Sequence, residues 1–258
     1  MSSPAASTLA ALRRRLAAIE MADVSFAPAR PTGPDTGPLR FCGIPAPAAG
    51  SLHEIAAARE SEITAATAFV LPLAAWTAQA RATFWIVQDM TLAENGTLYG
   101  PALEAFGLAP ERLVQVAAAH ERDVLWAMEQ ALRCRSVGAV IGEIRGSTRS
   151  VDLTASRRLS LAAGEGNSAA FLLRAAPTSA PVAAATRWIV GAAPSAFDAH
   201  GPGPPRLRVQ LTRNRRGNPG SWVLEWNSAD QRFDIATADR QPLAETDLDR
   251  PARSTAPA

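Results

Sequence analysis

Between Leu52 and Ala175 the chain alternates short, almost wholly apolar runs with longer stretches of helical period. No other feature restricts its fold as much. The runs are LHEIAA from Leu52, TFWIV at 83–87, RLVQV at 112–116, VGAVIGEI at 137–144 and AAFLLRA at 169–175. Helical patterns fall between them, near 62–80, 101–106, 121–134 and 152–163. A strand that is apolar on both faces has to be covered on both, so the pattern predicts a mostly parallel sheet flanked by helices. The last third is different. RWIVGAA at 187–193, RLRVQLTR at 206–213 and WVLEWN at 222–227 follow one another without helices, and RRGNPGS at 215–221 predicts a hairpin turn. The sheet is therefore expected to end in antiparallel strands.

Around this core, residues 51–228, the sequence places three further segments. In TLAALRRRLAAIE (8–20), Leu9, Leu12, Leu16 and Ile19 recur every three or four residues. This predicts an amphipathic helix within 1–22, with Arg13, Arg14 and Arg15 on its back. Such a helix is either a detachable partner-binding arm, with Leu12 and Leu16 at its centre, or a helix docked on its own domain. Residues 23–50, rich in Pro and Gly, read as a linker or a wrapped arm, and 229–258, with Pro242, Pro251 and Pro257, as a largely disordered tail.

Composition removes several function classes. With 258 residues and 47% of them hydrophobic, the chain can bury a core, so disorder throughout is excluded. All 26 basic residues are arginine. Without lysine there is no Schiff-base chemistry and no ammonium for a nucleotide-binding loop. A net charge of +2 is too small to argue for nucleic acid or membrane. Cys42 and Cys134 make neither a disulfide framework nor a metal site, which fits reduced thiols. Neither a secretory h-region nor about 18 consecutive apolar residues occurs, so a soluble, cytoplasmic protein without a membrane partner is expected. His53-Glu54 would need a second histidine one helical turn on for a zinc motif, but position 57 is Ala57. His120 and His200 lie far apart in sequence, and Ser147, Ser150 and Ser156 have no histidine spaced for a triad. No metal and no catalytic residue is assigned.

Several segments carry a resemblance: LHEIAAARESEITAAT (52–67), LYGPALEAFGLAPERLVQV (98–116), DVLWAMEQALRC (123–134), VGAVIGE (137–143), DLTASRRLSLAA (152–163), AAATRW (183–188) and RNRRGNPGSWVLEW (213–226). From Ser51 to Asn227 the chain resembles the ATPase core of RecA-type recombinases and, more closely, the ImuA family of RecA-like accessory proteins in damage-induced mutagenesis. The resemblance implies a RecA-like, P-loop NTPase-type α/β fold with an N-terminal helical arm. It also locates the nucleotide loop, whose glycines would fall at Ala57 and Glu62, its lysine at Ile63 and its hydroxyl at Thr64. Only Thr64 suits phosphate binding; Glu62 brings a carboxylate toward the phosphates and Ile63 removes the cation that would offset it. Asp89 stands nearest the catalytic acid, and the metal-associated acid maps to Gly142, with Glu143 beside it. The loop reads as degenerate, and no cofactor, ATP included, is expected.

The same resemblance directs attention to protein partners. A hairpin at RNRRG carries cations to a neighbouring subunit's nucleotide in RecA-like ATPases, and Arg213, Arg215 and Arg216 stand there. The two recombinase DNA loops would fall at about 144–152, with Arg145 and Arg149, and at 175–186, which has neither basic nor aromatic residue, so strong autonomous DNA binding is not expected. On the 121–134 helix, Val124, Leu125, Met128 and Leu132 make the core face, while Trp126 points away with Arg122, Gln130 and Arg133. Trp126 is either a partner hot spot or a residue covered by the N-terminal arm. The implied function is a non-catalytic accessory factor of SOS-type translesion synthesis. Its implied partners are an ImuB-type polymerase-like protein, an error-prone replicative-type polymerase complex and the recombinase RecA. A weak DNA-stimulated ATPase and a SulA-like cell-division inhibitor are the alternatives.

Overall fold

The computed structural model describes residues 44–145, 150–195, 197–198 and 201–236. The N-terminal helix expected over 1–22, with Leu12 and Leu16, lies outside the described residues. Parallel strands come first: β1 (Leu52–Ala57), β2 (Ala82–Gln88), β3 (Leu113–Ala118), β4 (Val137–Ile144), β5 (Ala169–Arg174) and β6 (Thr186–Ala193). The helices are α1 (Ile63–Ala78), α2 (Asp89–Asn95), α3 (Gly100–Ala105), α4 (Glu121–Leu132) and α5 (Leu153–Gly166). A short hairpin, β7 (Phe197–Asp198) and β8 (Gly201–Pro202), stands apart, followed by β9 (Arg206–Asn214), β10 (Gly220–Asn227) and β11 (Arg232–Ile235).

The nine-stranded sheet has the order β11-β10-β9-β6-β1-β5-β4-β2-β3. β1 lies parallel between β5 and β6, and the change to antiparallel pairing comes at β6–β9. The expected mostly parallel sheet with an antiparallel end is present. One face is covered by α1, where Phe69, Val70 and Leu73 pack with Ile55, Trp85, Ile141, Phe171 and Trp188. The other face carries α4 and α5; the four residues read as the core face of α4, Val124, Leu125, Met128 and Leu132, are buried there. Helix α5 shows how local chemistry sets an element's limits. Asp152 caps its start by accepting the Ala155 N–H at 2.7 Å, and Asn167 ends it in the left-handed region at φ 52°.

Two expected boundaries need correction. Residues 44–50 are not part of a detached linker, since Ile44 is buried in the α1-side core. The core also does not stop at 228. Strand β11 pairs with β10, and Phe233 is fully buried, its ring 5.0 Å from Trp226 and 5.6 Å from Phe69. A lone Phe among polar residues is a weak sequence signal, and only the hairpin partner reveals it as core. Among the described residues, no helix is long and apolar enough to cross a membrane.

Candidate functional site

The turn from β1 into α1 is where a phosphate loop would lie, and it is closed by its own side chains. Ala57 is fully buried, and the Ala58 N–H donates to the Val190 carbonyl of β6 at 2.7 Å. Residues Glu60–Glu62 wind into a single 3-10 turn. The Glu62 carboxylate folds back, accepting from Arg59 Nε at 3.1 Å, from Arg59 Nη2 at 3.0 Å and from the Ala192 N–H at 3.3 Å. Arg208 Nη2 of β9 stands 3.6 Å away. Gly191 allows this approach, because a Cβ there would lie 3.3 Å from Glu62 Oε2. The Arg59 hydrogen bonds hold the Glu62 carboxyl below its ordinary range. A phosphate loop offers unpaired N–H groups to an anion; this turn already holds one. Ile63 enters the core, while Thr64 is exposed.

Beside that turn an open cleft of about 220 Å³ lies between α1 and the carboxyl ends of β2, β3 and β4. Thr64, Thr67, Trp85, Gln115, Glu143 and Arg145 are among its lining residues. Glu143 is buried and doubly held: Trp85 Nε1 donates to one oxygen at 3.3 Å and Arg145 Nε to the other at 3.0 Å. Arg145 lines the cleft, while Arg149, the other arginine read into the 144–152 loop, lies outside the described residues. Gly142 lies on the opposite face, where a Cβ would collide with Met128 of α4. So it is Glu143, not position 142, that presents an acid to the cleft. Asp89 is exposed in the first turn of α2 and does not line it. Of the nucleotide-site residues proposed from the sequence, Ile63, Thr64 and Glu143 line this cleft.

The hairpin arginines are elsewhere. Register pairs Thr186 with Asn214 and Arg187 with Arg213, which puts the turn at the amino end of β6, away from the cleft. Arg213 Nη1 donates to the Val182 carbonyl at 3.4 Å, while Arg215 and Arg216 are exposed. Trp126 is half-buried against the α4–α5 core and does not point away from it. Arg133, read as part of a partner surface, donates to Glu129 at 2.8 Å and to Glu165 at 3.2 Å, tying α4 to α5. Arg122 is exposed.

Sequence reasoning missed a buried ionic group in the middle of the sheet. Glu54 of β1, 2% exposed, accepts from Arg187 Nε of β6 at 2.5 Å and lies 3.4 Å from Arg174 Nη1 of β5. Next to it, His53 pairs through Nδ1 with Thr186 Oγ1 at 2.8 Å and through Nε2 with the Ala48 carbonyl at 3.2 Å. Burial lowers the His53 pKa to about 4, with Arg216 adding to the effect and the Ala48 bond opposing it. The signal was a His-Glu pair inside an otherwise apolar strand, which demands internal partners. Which partners depends on strand order.

These features define an α/β domain with an open cleft at the carboxyl ends of parallel strands and a turn, at that edge, filled by the chain's own carboxylate. The chain belongs to the ImuA family: it is 33% identical over 196 residues to Protein ImuA of Caulobacter vibrioides, a match covering 70% of this chain and 76% of that protein. The same figures hold for strain NA1000 / CB15N and for strain ATCC 19089 / CIP 103742 / CB 15. The crystal structure of the RadB recombinase is similar at a TM-score of 0.49 and 13% identity, covering 74% of this chain and 93% of that one. No family model matches the chain.

Proposed function

We propose that this chain is a non-catalytic accessory protein of damage-induced mutagenesis, a RecA-like domain that acts in translesion synthesis by binding other proteins. The observation that supports it best is the Glu62 carboxylate at the β1–α1 turn, where a phosphate would be cradled, bonded instead by the Arg59 side chain and by the Ala192 N–H of β6. A phosphate binding there would have to displace the Glu62 carboxylate from Arg59 and the Ala192 N–H, and Ile63 supplies no cation. The partners this reading names are an ImuB-type polymerase-like protein, the error-prone replicative-type polymerase complex and RecA. Arg122, Arg215 and Arg216 are the exposed arginines offered to them.

The deciding experiment is ATP binding and turnover by the purified protein, with and without single-stranded DNA. The expected result is no saturable binding at millimolar ATP. A variant combining Glu62→Gly with Ile63→Lys should gain measurable affinity, because it removes the internal anion and restores the cation. Saturable hydrolysis by the wild type would overturn the reading in favour of a weak ATPase. That second reading draws on Thr64 and Glu143 lining one cleft, and it requires turnover to fall with Glu143→Gln. Partner binding is tested by pull-down of the ImuB-type protein with chains lacking 1–22 or 237–258. Unchanged capture by both truncations, and by a chain with Arg122, Arg215 and Arg216 replaced by alanine, would sink the assignment of surfaces.

A further inference from the structure

We infer that Arg174 anchors a site for a small oxyanion of the phosphate class, closed by the segment 175–181. Arg174 ends β5 with its side chain 1% exposed. Among the described residues, none of its Nε, Nη1 and Nη2 has a hydrogen-bond partner. Its ion pair with Glu54 Oε1, at 3.4 Å, is not aligned as a hydrogen bond, and that oxygen likewise has none. By contrast each nitrogen of Arg187 has a partner: Nε donates to Glu54 Oε2 at 2.5 Å, Nη1 to the Thr178 carbonyl at 3.2 Å and Nη2 to the Ala180 carbonyl at 2.7 Å. One carboxylate therefore serves two guanidiniums, and the better-placed one takes it.

A buried guanidinium is costly unless its donors are bonded, and its planar fork matches an oxyanion in two-point contact. Burial lowers the Arg174 pKa, against the through-space pull of Glu54; the Arg187 charge lowers it further and Glu121 opposes with the smallest influence. The roof is identified by the Arg187 bonds, which tie the Thr178 and Ala180 carbonyls to the Arg187 side of the ionic group. The roofing residues, AAPTSAP, carry no charge, so an entering anion meets no repelling side chain there. When the roof lifts, an oxyanion can take the free fork of Arg174 together with the Arg187 donors now bonded to the two carbonyls. Anion binding and closure of 175–181 then compete for Arg187. This consequence separates the site from a merely structural ion pair.

The test compares potassium phosphate with potassium chloride at equal ionic strength, using the full chain. A short oligo-dT is added in a second arm to distinguish free phosphate from a phosphodiester source. Phosphate, or the oligonucleotide, should raise the wild-type Tm by several degrees in a saturable way and speed amide exchange in 176–181. Both responses should vanish in Arg174→Met and persist in Arg157→Ala, an exposed arginine on α5. A Tm gain of equal size in Arg174→Met, or no anion-specific response in the wild type, overturns the inference. If Arg174→Met does not fold, exchange in the wild type decides alone: unchanged exchange of 176–181 with phosphate is refutation, faster exchange is support.

Discussion

Replacing Glu54 by glutamine tests the buried ionic group at its centre. Gln keeps the volume and one acceptor but removes the charge shared by Arg174, 1% exposed, and Arg187, 19% exposed. Arg187 retains its bonds to Thr178 and Ala180, so its loss is one charge-assisted hydrogen bond, roughly 1.5–3 kcal/mol. For Arg174, Glu54 supplies the only ion pair within 4 Å among the described residues. Breaking a buried pair from one side costs about 3–5 kcal/mol, because a bare charge stays behind. Taking that as the overall scale, Glu54→Gln should lower Tm by roughly 6–20 °C for a domain of this size. Urea unfolding should show the midpoint falling at constant m-value. Adding Arg174→Met to Glu54→Gln should recover part of the loss, with a coupling of about 1 kcal/mol or more in the double-mutant cycle. A loss below about 1 kcal/mol, or strictly additive costs, would show that the two side chains do not stabilise one another.

Three further outcomes are expected. His53 is neutral in the fold with a pKa of about 4 and takes up its proton on unfolding near 6.5, so its contribution is intact above pH 6.5 and lost as pH falls toward 4. At pH 5 the wild type should have lost roughly 2 kcal/mol more than His53→Asn does over the same interval, measured by urea unfolding; parallel pH profiles would refute the assignment. Phe233→Ala should cost about 3–5 kcal/mol, so a chain ending at 228 should misfold while one ending at 236 should melt like the full chain in a thermal scan. Gly142→Asp should lower Tm sharply, by about 3 kcal/mol or more in stability, because the new side chain meets Met128; a wild-type Tm together with acquired magnesium binding would mean position 142 faces the cleft after all.

The residue types alone show that Ala57, Glu62 and Ile63 carry neither the backbone freedom of glycine nor the charge of lysine. The positions of the acids were less legible. A strand sends consecutive side chains to opposite faces, so a one-residue ambiguity between Gly142 and Glu143 is a choice between the cleft and Met128. Trp126 was misread for a similar reason. A helical wheel gives the face nearest the core, but here β3 and its Val114 and Val116 extend the apolar surface around the edge of α4.

What the sequence determines by itself is whatever depends on local periodicity: the apolar strands, the helices covering both faces, the turn at 215–221 and the absence of lysine. Packing decided the rest. Glu54 lies more than a hundred residues before Arg174 and Arg187, and the three become neighbours because the sheet order puts β1 between β5 and β6. Likewise Glu62 finds Ala192 and Arg208, and Phe233 finds Phe69, only across the sheet. Hydrogen bonds and ion pairs act over a few ångströms, and only the strand order brings these side chains within that range.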